Sequence, residues 1–107
     1  MLKTRICVPR LTIALAARAD LRDIRLYSKS AFGAKIARSY LDGLREKFVA
    51  VLMRQRVGRP EADLGEDIRS IGFRSHRIYY RPTMDGILIL RIIHHAQDVD
   101  IALGTAE

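Results

Sequence analysis

Three histidines, His76, His94 and His95, and the arginines between positions 69 and 91 are the side chains of this sequence best equipped to act on a phosphate. RNA cleavage needs a base near the 2′-hydroxyl, an acid near the leaving oxygen and cationic donors around the phosphorane. Arg69, Arg74, Arg77, Arg81 and Arg91 are candidate donors. Arg77 and Arg81 fall on one face of an alternating stretch, so both could touch one phosphate. No acid–base pair stands at a spacing that forces convergence, so these arginines read first as the solvated face of a small sheet. His94 and His95 are adjacent, so on a strand they point to opposite faces and cannot share one ion. No CxxC, HxxxH or carboxylate cluster is present, and neither a phosphate-cradling P-loop nor a GxGxxG fingerprint occurs. No metal and no cofactor is therefore expected. Cys7 lies in an apolar context, where burial explains it better than nucleophilic work.

The elements that must position these residues follow from periodicity. Residues 6–12 read as a short strand, with Pro9 marking an edge and Thr12 placed to cap the helix that follows. Ala14, Ala17, Leu21, Ile24 and then Tyr27 or Ser28 recur at helical spacing, while Arg18, Arg22, Arg25 and Lys29 fill the opposite side. Gly33 punctuates the pattern. A second helix, 34–55, carries the stripe Ala37, Leu41, Leu44, Phe48 and Val51 or Leu52, and a short connection makes the two an antiparallel hairpin. A Gly-, Pro- and acid-rich loop, 56–67, ends the helical period. Strands are expected over 68–73, over 76–81 with Ile78 and Tyr80 on one face, and over 87–94. Between the last two lies a hairpin turn in which Gly86 would supply a positive φ. The 87–94 stretch is apolar on both faces apart from Arg91, as a central strand would be. The expected fold is α+β: a strand, a two-helix hairpin and a three-stranded antiparallel meander, with the helices on one face of the sheet. Val99, Ile101 and Leu103 make the tail, about 96–107, a segment that folds back or awaits a partner.

Composition bounds the rest. The 107 residues form one domain, and 49% apolar content is enough for a real core and too much for a disordered chain. A lone cysteine excludes a disulfide scaffold. The first residues lack the apolar core of a secretory signal and no long apolar run occurs, so a cytoplasmic protein off the membrane is expected. Residues 1–59 carry 14 Lys or Arg against 4 Asp or Glu, an excess of ten, whereas residues 60–107 carry 5 against 8. The basic half points to an anionic partner, and a plain nucleic-acid-binding module is one class that fits it.

The ordered run LTIALAARADLRDIRLYSKSAFGAKIARSYLDGLREKF, then VGRPEADL, then IRSIGFRSHRIYYRPTMDGILILRIIHHAQD resembles the ParE branch of the RelE/ParE toxins over about residues 8–100. The features that carry it are Ala17, Asp20, Leu21, Ile24 and Tyr27, the Phe32-Gly33 break, and Ala37, Tyr40, Leu41 and Leu44. Gly58-Arg59, Ile68-Arg69-Ser70, the 76–81 strand and Ile92-Ile93-His94 with Asp98 complete it. The resemblance implies a toxin of a type II toxin–antitoxin system, silenced by a ParD-like antitoxin whose disordered C-terminal segment folds around it. It implies DNA gyrase as the target, poisoned by binding, with DNA met only indirectly and no catalytic cycle. The related RelE branch cuts mRNA on the ribosome with arginines, lysines and a C-terminal tyrosine. Arg77 falls where that branch often has a catalytic arginine, but no tyrosine follows Tyr80 and no lysine follows Lys47.

Two surfaces are expected on this basis. Arg18, Arg22, Arg25, Arg38, Arg45 and Lys47 on the hairpin would meet acidic groups of the antitoxin, whose apolar anchors would fill a groove between the hairpin and the sheet's exposed edge. Arg74, Arg77, Arg81, Arg91 and His94, on the open face of the sheet and near its end, would meet the target.

Overall fold

The computed structural model describes residues 8–96. Along the chain run β1 (Arg10–Ile13), α1 (Leu15–Phe32), α2 (Ala34–Met53), β2 (Arg59–Pro60), β3 (Arg69–Phe73), β4 (His76–Pro82) and β5 (Gly86–His94). The strands form one sheet in the order β1-β5-β4-β3-β2. β1 pairs parallel to β5, and β5, β4, β3 and β2 pair antiparallel in turn. The expected α+β layout is present, with one addition. Inside the 56–67 loop, Arg59 and Pro60 pair with Ser70 and Arg69 as a two-residue edge strand, a length periodicity cannot signal.

The helices form where their apolar spacing requires. Ala17 and Ile24 of α1 and Leu41, Leu44, Phe48 and Val51 of α2 are buried in one cluster with Ile78, Tyr80, Ile87, Ile89 and Ile92 of the sheet, and Ser28 and Ala37 are buried as well. Ser28 faces inward and Tyr27 outward, which decides the ambiguous last position of the first stripe. Gly33, at φ 94°, joins the helices in a single residue, a conformation open to glycine at little cost. α2 stops at Met53, two residues short of the expected end. Thr12 lies within β1, and Ala14 occupies the N-cap of α1.

Gly86 has a different reason from the one expected. It does not take a positive φ; it opens β5 directly beside Arg10, and a Cβ there would run into the Arg10 carbonyl. The close approach of β1 is what requires glycine. The positive φ of the neighbouring hairpin, between β3 and β4, is carried by Arg74 at 52°. Tyr79 faces Arg91 and Tyr80 faces Ile89, so Leu90 is the extra residue of a bulge. Cys7, the first two residues of the expected 6–12 strand and the tail carrying Val99, Ile101 and Leu103 lie outside the described residues. Among the described residues, no helix is long and apolar enough to cross a membrane.

Candidate functional site

A groove of about 540 Å³ opens where the helical hairpin overhangs the ends of β4 and β5. Ile24, Tyr27 and Phe32 of α1, Ile36 and Tyr40 of α2 and Ile92 of β5 make its walls largely apolar. Tyr27, Phe32 and Ile36 stand 68%, 59% and 54% exposed, although each is large and apolar. Tyr27 and Phe32 meet edge to face with centroids 6.5 Å apart, and neither ring is covered by the fold itself. Such a cluster marks a surface built for a partner.

The polar end of the groove is set by helix and strand positions. His76 and His94 are cross-strand partners on the helix-covered side, with perpendicular rings 5.3 Å apart. The Tyr40 hydroxyl and His76 Nδ1 are 2.7 Å apart and share a hydrogen bond. Burial, then the charges of His94 and His95, lowers the His76 pKa to about 4, so this imidazole is neutral at pH 7. Burial likewise raises the Tyr40 phenol above its usual value. The Arg74 guanidinium lies over the Tyr40 and Phe73 rings at 5.9 and 5.5 Å. Gly43 of α2 lets this turn come close, since a Cβ there would sit 2.6 Å from the Phe73 ring. Asp20 and Asp23 of α1 complete the lining.

Asp20 also closes the sheet. On the side of β1, no strand among the described residues pairs with β5 beyond Ile89, and there Asp20 Oδ2 accepts the Ile92 N–H at 2.9 Å. The same carboxylate receives Arg91 Nε at 2.7 Å and Nη2 at 2.9 Å, a forked ion pair that also raises the Arg91 pKa.

The opposite face of the sheet holds a second polar network. Arg77 Nε donates to the Ser70 hydroxyl at 2.8 Å, Ser70 donates to Glu61 Oε2 at 2.5 Å, and Arg59 reaches the same oxygen at 2.9 Å. Burial works to raise the Glu61 pKa, but the Ser70 and Arg59 hydrogen bonds outweigh it and hold the carboxyl low. This face is not open throughout. Tyr79 and Ile93, which lie outside the helix-packed cluster, are 6% and 2% exposed.

The expected target face therefore divides. Arg77 and Arg81 do share a face of β4. Arg91 is held by Asp20, while Arg74 and His94 belong to the groove end with His76. β5 ends at His94 and the chain turns there, so His94 and His95 do not oppose one another across a strand; their rings lie 6.2 Å apart. Among the described residues, no three His, Cys, Asp or Glu side chains are grouped to hold a metal ion. The expected antitoxin rim divides too. Arg25, Arg38 and Arg45 converge on the outer seam between the helices, and Arg18 and Arg22 lie on the same stripe of α1. None of these six cations, Lys47 included, lines the apolar groove, whose charged rim is Asp20 and Asp23. Sequence reasoning missed Ile36 and Phe32 as groove walls; the available signal was large apolar residues that fall off the core stripes.

The strand–helix hairpin–meander fold carries a largely apolar groove that the described residues leave uncovered. Residues 11–99 match the sequence profile described as "ParE toxin of type II toxin-antitoxin system, parDE". The chain is 28% identical over 92 residues to Toxin ParE1 of Mycobacterium tuberculosis, covering 85% of this chain and 94% of that one. It is also 28% identical over 88 residues to Toxin ParE1 of Caulobacter vibrioides, covering 82% and 91%. A solved structure titled "Chromosomal ParDE TA system from P. aeruginosa" superposes with a TM-score of 0.70 at 22% identity, covering 80% of this chain and 95% of that one. The chain belongs to the ParE toxin family of type II toxin–antitoxin systems.

Proposed function

We propose that this toxin arrests growth by binding DNA gyrase and trapping its cleaved-DNA complex, and that a ParD-like antitoxin keeps it silent in the cytoplasm. The observation that carries the antitoxin half is the exposed trio Tyr27, Phe32 and Ile36 around a groove of about 540 Å³. A folding antitoxin segment gains affinity from apolar side chains buried in such a site, and rim charges add little. Harm by grip rather than bond-breaking is supported by the state of the sheet arginines. Arg77, at the position where the ribonuclease branch often has a catalytic arginine, is engaged with Ser70, and Arg91 with Asp20.

The test is a supercoiling and cleavage assay with purified gyrase and toxin. Accumulation of cleaved DNA, reversed by the antitoxin, is the expected result. Cut mRNA on translating ribosomes with gyrase unaffected would replace this reading with the nuclease one. The target face is assigned to Arg77 and Arg81. Replacing both with Ala should abolish growth arrest while antitoxin binding persists, and a fully toxic double variant would move the site elsewhere.

A further inference from the structure

Helix α1 sorts its charges by side. At 100° per residue, Ala17, Leu21, Ile24 and Ser28 centre the face turned to the core, and Asp20 and Asp23 lie on the flank that lines the apolar groove. Arg18, Arg22, Arg25 and Lys29 step by four, three and four along the other flank, a stripe about 16 Å long at a rise of ~1.5 Å per residue. Across the helix–helix seam, α2 contributes Arg38 and Arg45. Arg25, Lys29, Arg38 and Arg45, with Asp42 as the one acidic residue among them, border a shallow trough of about 270 Å³ floored by Ala34, Ala37 and Leu41. All six cations are exposed. Among the described residues, the one carboxylate that reaches any of them is Asp42, 3.7 Å from Arg45. On the sheet, by contrast, Arg59, Arg77 and Arg91 each hold a carboxylate or hydroxyl.

Six like charges gathered this closely repel one another, and a polyanion relieves the repulsion. We propose that the outer seam of the hairpin binds the phosphate backbone of duplex DNA directly. Tight binding of an acidic peptide needs apolar anchor pockets, and the floor here offers none of size: Ala37 and Leu41 are 3% and 4% exposed, and the exposed Ala34 presents a single methyl group. Single strands are held by aromatic platforms, and no aromatic side chain lines the trough. Five of the six cations are arginine, whose planar fork fits phosphate oxygens. A helix carrying its cations along one line suits the wide major groove of B-form DNA, whereas the deep, narrow groove of duplex RNA does not admit it. The seam and the apolar groove flank α1 on opposite sides, so DNA and antitoxin can be held together.

The full chain, titrated onto a fluorescent duplex of about 20 base pairs at several salt concentrations, gives the test. Log affinity should fall against log salt with a slope of about −5, one increment of ~0.9 for each of six cations. R22E/R25E should weaken binding at least tenfold at low salt and flatten the slope by about two, while R22K/R25K retains most of it. Circular dichroism and thermal melting serve as the folding control, and R22Q/R25Q gives the same reading if the reversal variant does not fold. The proposal fails if no duplex DNA binds at about 50 mM salt, or if the folded variants bind as the parent does. It fails equally if polyglutamate, single-stranded DNA or duplex RNA binds at least as tightly as duplex DNA. It does not depend on the gyrase assignment: a variant that loses DNA binding yet still traps gyrase, or the converse, separates the two.

Discussion

The two flanks of α1 solve different problems with one helix. On the groove side the exposed residues are large and apolar, edged by Asp20 and Asp23; on the seam side they are arginine and lysine, with Asp42 among them, over a shallow floor of small or buried apolar residues. Apolar area supplies affinity with little dependence on salt, whereas a row of cations supplies long-range attraction that salt screens. On the proposed reading, in which the antitoxin docks in the groove, the basic character of residues 1–59 says little about that site, although both flanks lie on the same helix.

The largest way to break this contrast is to put charge into the groove. F32E/I36E should weaken antitoxin binding about 100-fold by calorimetry, the scale of losing central anchors, while duplex DNA binding stays unchanged. Loss of both functions together would mean the flanks are not independent.

Next comes the carboxylate that joins helix to sheet. Asp20→Ala leaves the Arg91 guanidinium and the Ile92 N–H without their partner, and the fold should lose about 2–3 kcal/mol. That corresponds to a fall in Tm of the order of 10 °C for a domain of this size. An unchanged Tm would show the pair to be solvated.

The groove end should also respond to acid. The folded chain holds His76 neutral down to about pH 4, whereas the unfolded chain takes up the proton near 6.5. The unfolded state therefore binds more protons between these values. Stability from this group is full above about pH 6.5 and is lost as pH falls through the window toward 4. Thermal melts across that range should show the decline, and His76→Leu should flatten it. An equal decline in the variant would assign the acid response to other groups.

The smallest expected effect is the sharpest discriminator. R22E/R25E should change antitoxin affinity less than about threefold, and raising salt to about 0.5 M should weaken that complex only modestly. A hundredfold loss in either measurement would place antitoxin contacts on the seam after all.

Much of the fold was legible because helical stripes and alternating strands are periodic signals. The α2 stripe from Ala37 to Val51 is buried at every expected position. The site was less legible, since its parts meet only in three dimensions. Nothing in the spacing of Asp20 and Arg91, seventy-one positions apart, announces a forked ion pair. Tyr40 and His76 likewise meet only once the β3–β4 turn packs on Gly43. The face of β4 carrying Arg77 and Arg81 followed from simple alternation, but the burial of Tyr79 between them did not. Gly86 shows the remaining limit: its presence was noticed, yet the neighbour that forbids a side chain there comes from the other end of the chain.

That neighbour has a bearing on biosynthesis. β1 is made before the helices and the other strands, but its partner runs from Gly86 to Ile89, so this edge of the sheet cannot close until those residues have left the ribosome. A nascent chain emerges with its helical hairpin complete and its sheet unfinished. The finished sheet, with Arg77 held in register between β3 and β5, comes into being only after β5 has been made.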